Sequence, residues 1–167
     1  DFIDNELAIP NFSKNPRRII IFPVEYHSNL QSFERRGFLR NFFFYNKENY
    51  LRFFSDIGLI AEKFDIKVIV KNKRRELLEN NELFSNQIFT FLPPNTSPRR
   101  AIEVINPFLV LCMPQTSPAL YYPSKSIYYY PKTVRKLTDS YEKSIPLIQG
   151  KDSLSDYINE KLTKSNL

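Results

Sequence analysis

Short apolar runs alternate with amphipathic stretches along most of the chain. Continuous apolar runs of four to seven residues are typical of strands in a buried parallel sheet, and they occur at residues 18–24, 66–70, 88–92, 108–113, 126–130 and 145–148. Apolar residues at three- and four-residue spacing predict a helix over 49–64. We expect further helices over 75–84, 97–105, 134–143 and 152–162, the last capped by Asp152, and a short one beginning at residues 116–120. This alternation predicts an α/β, Rossmann-like three-layer domain with a mostly parallel sheet of five or six strands.

The length of 167 residues predicts one domain. Residues 1–16 mix polar side chains with Pro10 and Pro16 and lack a sustained period, so we expect a linker or docking strap there and the single domain at 17–167. No apolar run approaches the roughly 18 residues that span a bilayer. We therefore expect a cytoplasmic protein, or one peripheral to the inner face of the membrane, and the start without Met suggests a piece of a longer chain.

Composition excludes several classes of site. The three glycines, Gly37, Gly58 and Gly150, lie too far apart to form a dinucleotide fingerprint or a P-loop. One cysteine, Cys112, and one histidine, His27, are too few for structural zinc, an iron–sulfur cluster or a disulfide framework. We therefore predict no metal and no cofactor. The net charge of +6 indicates an anionic partner, although it is also what biased codon usage can produce.

The polar segments after the predicted strands are the candidate site, because ligands of open parallel sheets bind at the carboxyl ends of the strands. Two roles are predicted. Glu25 and His27 are candidate catalytic residues, an orienting carboxylate and a base. The candidate substrate- and phosphate-binding residues are Lys71, Asn72, Lys73, Arg74, Gln115, Thr116 and Ser117.

Each assignment has a structural alternative. The basic cluster 71–75 suits phosphate oxygens, but it is also compatible with a solvated turn. Thr116 and Ser117 precede Pro118 and offer hydroxyls and backbone N–H groups to an anion, or they are an ordinary helix cap. A lone histidine such as His27 is more often structural than catalytic.

An aromatic stretch interleaved with arginine occupies residues 33–45, inside a connection of about twenty residues. It is suited to docking a partner domain, to lying at a membrane surface or to stacking bases. A helix folded back on the sheet explains it equally well.

Three segments, 66–73, 109–120 and 125–131, carry a resemblance over about residues 50–135. They resemble the C-terminal, donor-binding half of GT-B-type glycosyltransferases of bacterial surface polysaccharide biosynthesis, particularly the Kdo- and sialic-acid-transferring branches. Lys71 stands where that group has the lysine of a lysine–x–His–Pro segment, with Asn72 and Lys73 in place of its His-Pro. Thr116 and Ser117 match its Ser-Ser or Thr-Ser pair.

The resemblance implies a nucleotide sugar as ligand, a separate N-terminal acceptor-binding half as partner, and no activity for this half alone. The competing hypothesis is a non-catalytic module that binds an anionic glycan, a nucleotide or nucleic acid through the same basic rim. Of these partners, nucleic acid is the least favoured.

Overall fold

The computed structural model describes residues 17–23, 47–71, 88–93, 95–114, 116–133 and 145–165. Six strands form one sheet: β1 (Arg18–Phe22), β2 (Lys67–Val70), β3 (Phe89–Phe91), β4 (Leu109–Cys112), β5 (Ser126–Tyr130) and β6 (Leu147–Gln149). The sheet order is β3-β2-β1-β4-β5-β6, and every neighbouring pair is parallel. This is the Rossmann order, so the predicted Rossmann-like α/β fold is confirmed, with six strands and with parallel pairing throughout.

Both faces of the sheet are covered, which explains why its strands read as uninterrupted apolar runs. On one face pack the helices α1 (Lys47–Phe64) and α3 (Lys151–Ser165), against alternate strand residues such as Ile21, Leu111 and Tyr129. On the other lie α2 (Pro98–Ile105) and two short 3₁₀ helices, Ser117–Tyr121 and Pro123–Lys125. The residues between them on that face include Ile20, Ile69 and Cys112.

Helix α1 buries Phe53, Phe54 and Ile57 as its spacing predicts, and begins two residues earlier than expected. It ends at Phe64, because the φ of 53° at the next residue, Asp65, is left-handed and cannot continue the helix. The guanidinium of Arg17 donates to the carbonyl of Phe64 at 3.3 Å, satisfying a carbonyl of the last turn. Asp65 and Arg17 thus determine where α1 ends and where the chain turns into β2.

Two local expectations are wrong. Asp152 does not cap the last helix: α3 starts at Lys151 and runs to Ser165, so Asp152 lies in its first turn and favours the helix through the macrodipole instead. The helix expected after β4 is 3₁₀, and the Thr116 side chain at its cap position makes no capping hydrogen bond. The bounds of the last strand also differ slightly from the expectation, since it spans Leu147–Gln149 rather than 145–148.

Several expectations fall outside the described residues: the strap at 1–16, the aromatic stretch 33–45 and the helices at 75–84 and 134–143. Within the described part of the chain, no helix is both long and apolar enough to cross a membrane.

Candidate functional site at the carboxyl edge of the sheet

The strand order reverses between β1 and β4. Strands β2 and β3 lie on one side of β1, and β4, β5 and β6 lie on the other. In this topology the connections after the two central strands leave on opposite faces and open a crevice at the carboxyl edge. The residues that follow β1, β2 and β4 there are Pro23, Lys71 and Met113 to Pro114, and all of them are buried. The candidate site is therefore positioned by the fold itself.

Lys71 lies at the first position after β2 and is only 6% exposed. Its backbone N–H donates to Ile21 O at 3.0 Å, so the extended ladder continues through it. Side chains alternate between faces along such a chain, which places Lys71 on the same face as Ile69, the face covered by α2. A buried ammonium is costly unless an anionic or polar group offsets the lost hydration.

Thr116 and Ser117 follow β4 and open the first 3₁₀ helix on that same face. Two strand spacings separate the ends of β2 and β4, which is about 10 Å, so Lys71 and these hydroxyls flank the end of β1. The Thr116 hydroxyl donates to Met113 O at 2.8 Å, while Ser117 is exposed. Of the predicted pair, Ser117 therefore has the hydroxyl that faces solvent.

Three of the predicted site residues, Lys71, Thr116 and Ser117, lie at the same edge and on the same face of the sheet. The other six lie outside the described residues: Glu25, His27, Asn72, Lys73, Arg74 and Gln115. Their predicted roles stay predictions.

Cys112 ends β4 directly beneath this edge and is fully buried. Burial raises the pKa of its thiol to about 12, outweighing the hydrogen bonds with Thr116 and the Ala119 backbone, which lower it. A thiol that stays protonated at neutral pH is a poor nucleophile and metal ligand. Among the described residues, no three His, Cys, Asp or Glu side chains group closely enough to hold a metal ion.

Helix α1 and strand β5 are joined by buried polar contacts that the sequence analysis did not predict. The Tyr129 hydroxyl donates to Asp56 Oδ2 at 2.7 Å, and the Asn49 amide donates to the Tyr130 hydroxyl at 2.9 Å. Nearby, Lys132 and Glu48 form an ion pair at 2.9 Å. The signal available was the row of tyrosines in strand 126–130, because a buried tyrosine hydroxyl needs a polar partner.

We expect stability to fall at alkaline pH because of Tyr130. Burial raises the pKa of this phenol from its ordinary 10.0 to about 12, and the Glu48 carboxylate adds to the rise. Between those two values the unfolded chain has released the proton and the folded chain still holds it, so the free energy of unfolding decreases as pH rises. Urea titrations should show about 1 kcal/mol lost at pH 11 through this group. Tyr130→Phe should flatten that part of the pH profile, and an unchanged slope in the variant would contradict the assignment.

A short sequence repeat, which the sequence analysis above does not include, follows two of the strands. The tripeptide Thr-Ser-Pro occurs at 116–118 and again at 96–98, each time after a strand and before a helical turn. Both copies follow a proline two residues before the threonine, at Pro94 and Pro114. A search for internal repeats at the strand ends would have found it.

One of three comparisons with known proteins found a match. Searches of the curated proteins and of the solved structures found no match. Residues 21–158 match the family described as "Polysaccharide biosynthesis PFTS motif protein". That match extends from β1, through the carboxyl-edge site, into α3, and so covers most of the sequence. The chain belongs to the polysaccharide biosynthesis PFTS motif protein family.

Proposed function

We propose that this chain binds the nucleotide-sugar donor of a glycosyltransferase in surface polysaccharide biosynthesis. The observation that carries the proposal is that a buried lysine and a Thr-Ser-Pro turn flank the switch point of a Rossmann sheet on the same face. Membership of a polysaccharide biosynthesis family supplies the context.

The proposed chemistry is neutralisation of the leaving nucleotide phosphate. Departure of a nucleoside diphosphate from the sugar builds negative charge on phosphate oxygens, and groups held in place before the reaction stabilise that charge best. Lys71 brings a cation in a partly desolvated position, where its attraction for phosphate is stronger than in water. The exposed Ser117 hydroxyl adds a hydrogen-bond donor at the same edge.

The family's name is compatible with this location. Read as amino acids, its four letters are Pro-Phe-Thr-Ser. This chain has Pro, Thr and Ser in that order at two places, 114–117 and 94–97, with Gln115 and Asn95 in place of Phe. The name therefore fits the turn after β4 and the start of α2 equally well.

A complete transferase needs more than these residues. In the proposal, Glu25 and His27 supply the carboxylate and base after β1, and a separate domain binds the acceptor. Without that domain we expect binding of the donor but no transfer to an acceptor.

Calorimetric titration with a panel of nucleotide sugars and the matching free nucleotides tests the proposal. We expect one base to be preferred, with affinity that changes little between 50 and 300 mM salt. Binding that ignores the base and falls steeply with salt would contradict it, since that behaviour is typical of non-specific attraction to phosphate. That second outcome would favour the non-catalytic module with a basic rim.

A further inference from the structure

The second Thr-Ser-Pro segment, residues 96–98, opens α2 and contains a buried hydroxyl on Thr96. Thr96 is 2% exposed, and within the described ranges its Oγ1 has no hydrogen-bond partner. The equivalent hydroxyl in the other copy, on Thr116, donates to the carbonyl three residues back, Met113 O. At Thr96 the corresponding carbonyl, Pro93 O, accepts instead from the backbone N–H of Thr96 at 3.0 Å.

A buried hydroxyl without a partner costs free energy, and natural proteins rarely keep one unless something else binds it. Thr96 directly precedes Ser97, the N-cap residue of α2. Ser97 is exposed, and its side chain makes no capping hydrogen bond. The hydroxyl groups at the start of this helix are therefore not used by the helix itself.

The first turn of α2 is also suited to an anion by its backbone and its charges. The first intrahelical bond is donated by Ala101 to Ser97 O, so the N–H groups of Arg99 and Arg100 precede the hydrogen-bonded part of the helix. No acidic residue lies in this turn, whereas Glu48 and Asp152 occupy the first turns of α1 and α3.

The two arginines of this turn differ in their contacts. Arg99 is held by Glu103 at 3.1 Å on the exposed helix surface. Arg100 is exposed and makes no ion pair or side-chain hydrogen bond with the rest of the chain that the structure describes, and its charge contributes weakly to lowering the pKa of Glu103. One guanidinium at the start of α2 is thus available to a ligand.

The starts of α2 and of the first 3₁₀ helix lie at the same edge of the sheet, after β3 and β4, which are three strand spacings or about 14 Å apart. Each begins after a parallel strand and leads back toward the start of the next strand on the same face, so both begin at the carboxyl edge. Contacts tie their far ends together: the Tyr122 hydroxyl donates to Glu103 at 3.0 Å, and the Lys125 ammonium donates to Asn106 at 3.0 Å. Both helices therefore begin at the carboxyl edge and lie on the same face of the sheet.

We propose that the start of α2 is a second phosphate-binding subsite, in which a phosphoryl group accepts hydrogen bonds from the Thr96 and Ser97 hydroxyls, the N–H groups of Arg99 and Arg100, and the Arg100 guanidinium. The phosphoryl group belongs either to the ligand held at Thr116 and Ser117 or to a second phosphorylated molecule beside it. The subsite is argued from α2 and its loop, and it does not depend on the identity of the nucleotide.

Pyrophosphate is the probe for the first test, with the amide signals of the isotope-labelled full chain as the readout. Titration should move the amides of Arg99 and Arg100 with a saturable dependence on concentration. Thr96→Val should weaken this binding at least fivefold without lowering the melting temperature, because it removes a buried hydroxyl that the fold does not use. Amides of Arg99 and Arg100 that stay in place, or equal affinity in the variant, would overturn the subsite.

Matched variants separate the subsite from general effects. Thr163→Val removes an exposed hydroxyl that donates to Asn159 O in α3, and it should bind pyrophosphate as the unaltered chain does. Arg100→Gln should weaken binding at least fivefold, and Lys164→Gln, which removes one charge from the last turn of α3, should weaken it much less. Equal losses of pyrophosphate affinity in Arg100→Gln and Lys164→Gln would show that only the net charge of the chain matters, and they would overturn the subsite.

Saturation with the tightest nucleotide sugar distinguishes the two sources of phosphate. If pyrophosphate can then no longer move the Arg99 and Arg100 amides, the sugar nucleotide itself fills the subsite; if it still moves them, the phosphate comes from a second molecule. A nucleotide sugar that binds and moves only residues 116–119, with pyrophosphate silent at α2, would overturn the subsite and leave the proposed function standing. Pyrophosphate binding at α2 without any nucleotide-sugar binding would support the subsite and overturn the proposed function.

Discussion

Replacing Lys71 by Met is expected to weaken nucleotide-sugar binding ten- to a hundredfold. A hydrogen bond between a charged donor and phosphate contributes about 1.5–3 kcal/mol, which corresponds to that range of affinity. Met keeps most of the apolar stem that packs at this buried position and removes only the ammonium. Calorimetric titration at fixed salt measures the change.

The control for this experiment is Lys164→Met, because it removes the same charge from an exposed site in the last turn of α3, where Lys164 pairs with Glu160. Long-range attraction from a chain of net charge +6 should fall equally in both variants. Any excess loss at Lys71 therefore reports direct contact with the ligand. Equal losses would show that Lys71 acts only through net charge.

Tyr129→Phe is expected to destabilise the fold by about 2–3 kcal/mol. The change keeps the ring, which packs 5.7 Å from Phe53 between ring centroids, and removes the hydroxyl that donates to Asp56. Asp56 is 7% exposed, so its carboxylate would lose a donor in a position with little access to water. Loss of a hydrogen bond to a buried charged group has a cost of this size. Urea unfolding monitored by circular dichroism measures it.

A double-mutant cycle isolates this contact. Asp56→Ala should also destabilise strongly, but the combination with Tyr129→Phe should cost clearly less than the sum, since each variant removes the same hydrogen bond. Asp156→Ala, an exposed aspartate of α3, serves as the matched control and should change stability by no more than about 0.5 kcal/mol. Additive losses at Asp56 and Tyr129 would show that the two side chains act independently.

The same contact raises the pKa of Tyr129. Burial is the largest cause, and the hydrogen bond to Asp56 and its negative charge add to it. The phenol of Tyr129 should therefore stay protonated in the folded protein throughout the neutral and moderately alkaline range.

The fold could be predicted from sequence because its signals are local. Uninterrupted apolar runs such as 109–112 indicate strands buried on both faces, and the three- and four-residue spacing of Phe53, Phe54 and Ile57 indicates the face of α1. The sheet order could not be derived this way, because β1 pairs with both β2 and β4 through contacts between distant residues. It became visible only in the structure.

The site could be predicted only in part, for a related reason. The rule that ligands bind at the carboxyl ends of parallel strands predicts Lys71, Thr116 and Ser117 at one edge, and the structure has them at that edge, while their role in binding stays a prediction. That rule cannot tell whether a hydroxyl is satisfied by its own turn. Thr116 and Thr96 stand in the same tripeptide, but the loop geometry gives the Thr116 hydroxyl an acceptor, Met113 O, whereas the Thr96 hydroxyl has no partner among the residues that the structure describes.

The position of β1 at the centre of the sheet has a consequence for biosynthesis. Its partners β2 and β4 pair with it at Ile19↔Val68 and Ile19↔Leu109, so the second neighbour emerges from the ribosome roughly 40 residues after the first. At about 5–20 residues per second, one side of a strand made almost entirely of isoleucine and phenylalanine stays unpaired for about 2–8 seconds after β2 has formed. An unpaired apolar strand edge is a template for joining other chains. During synthesis this nascent chain should therefore depend on chaperone protection until β4 has emerged.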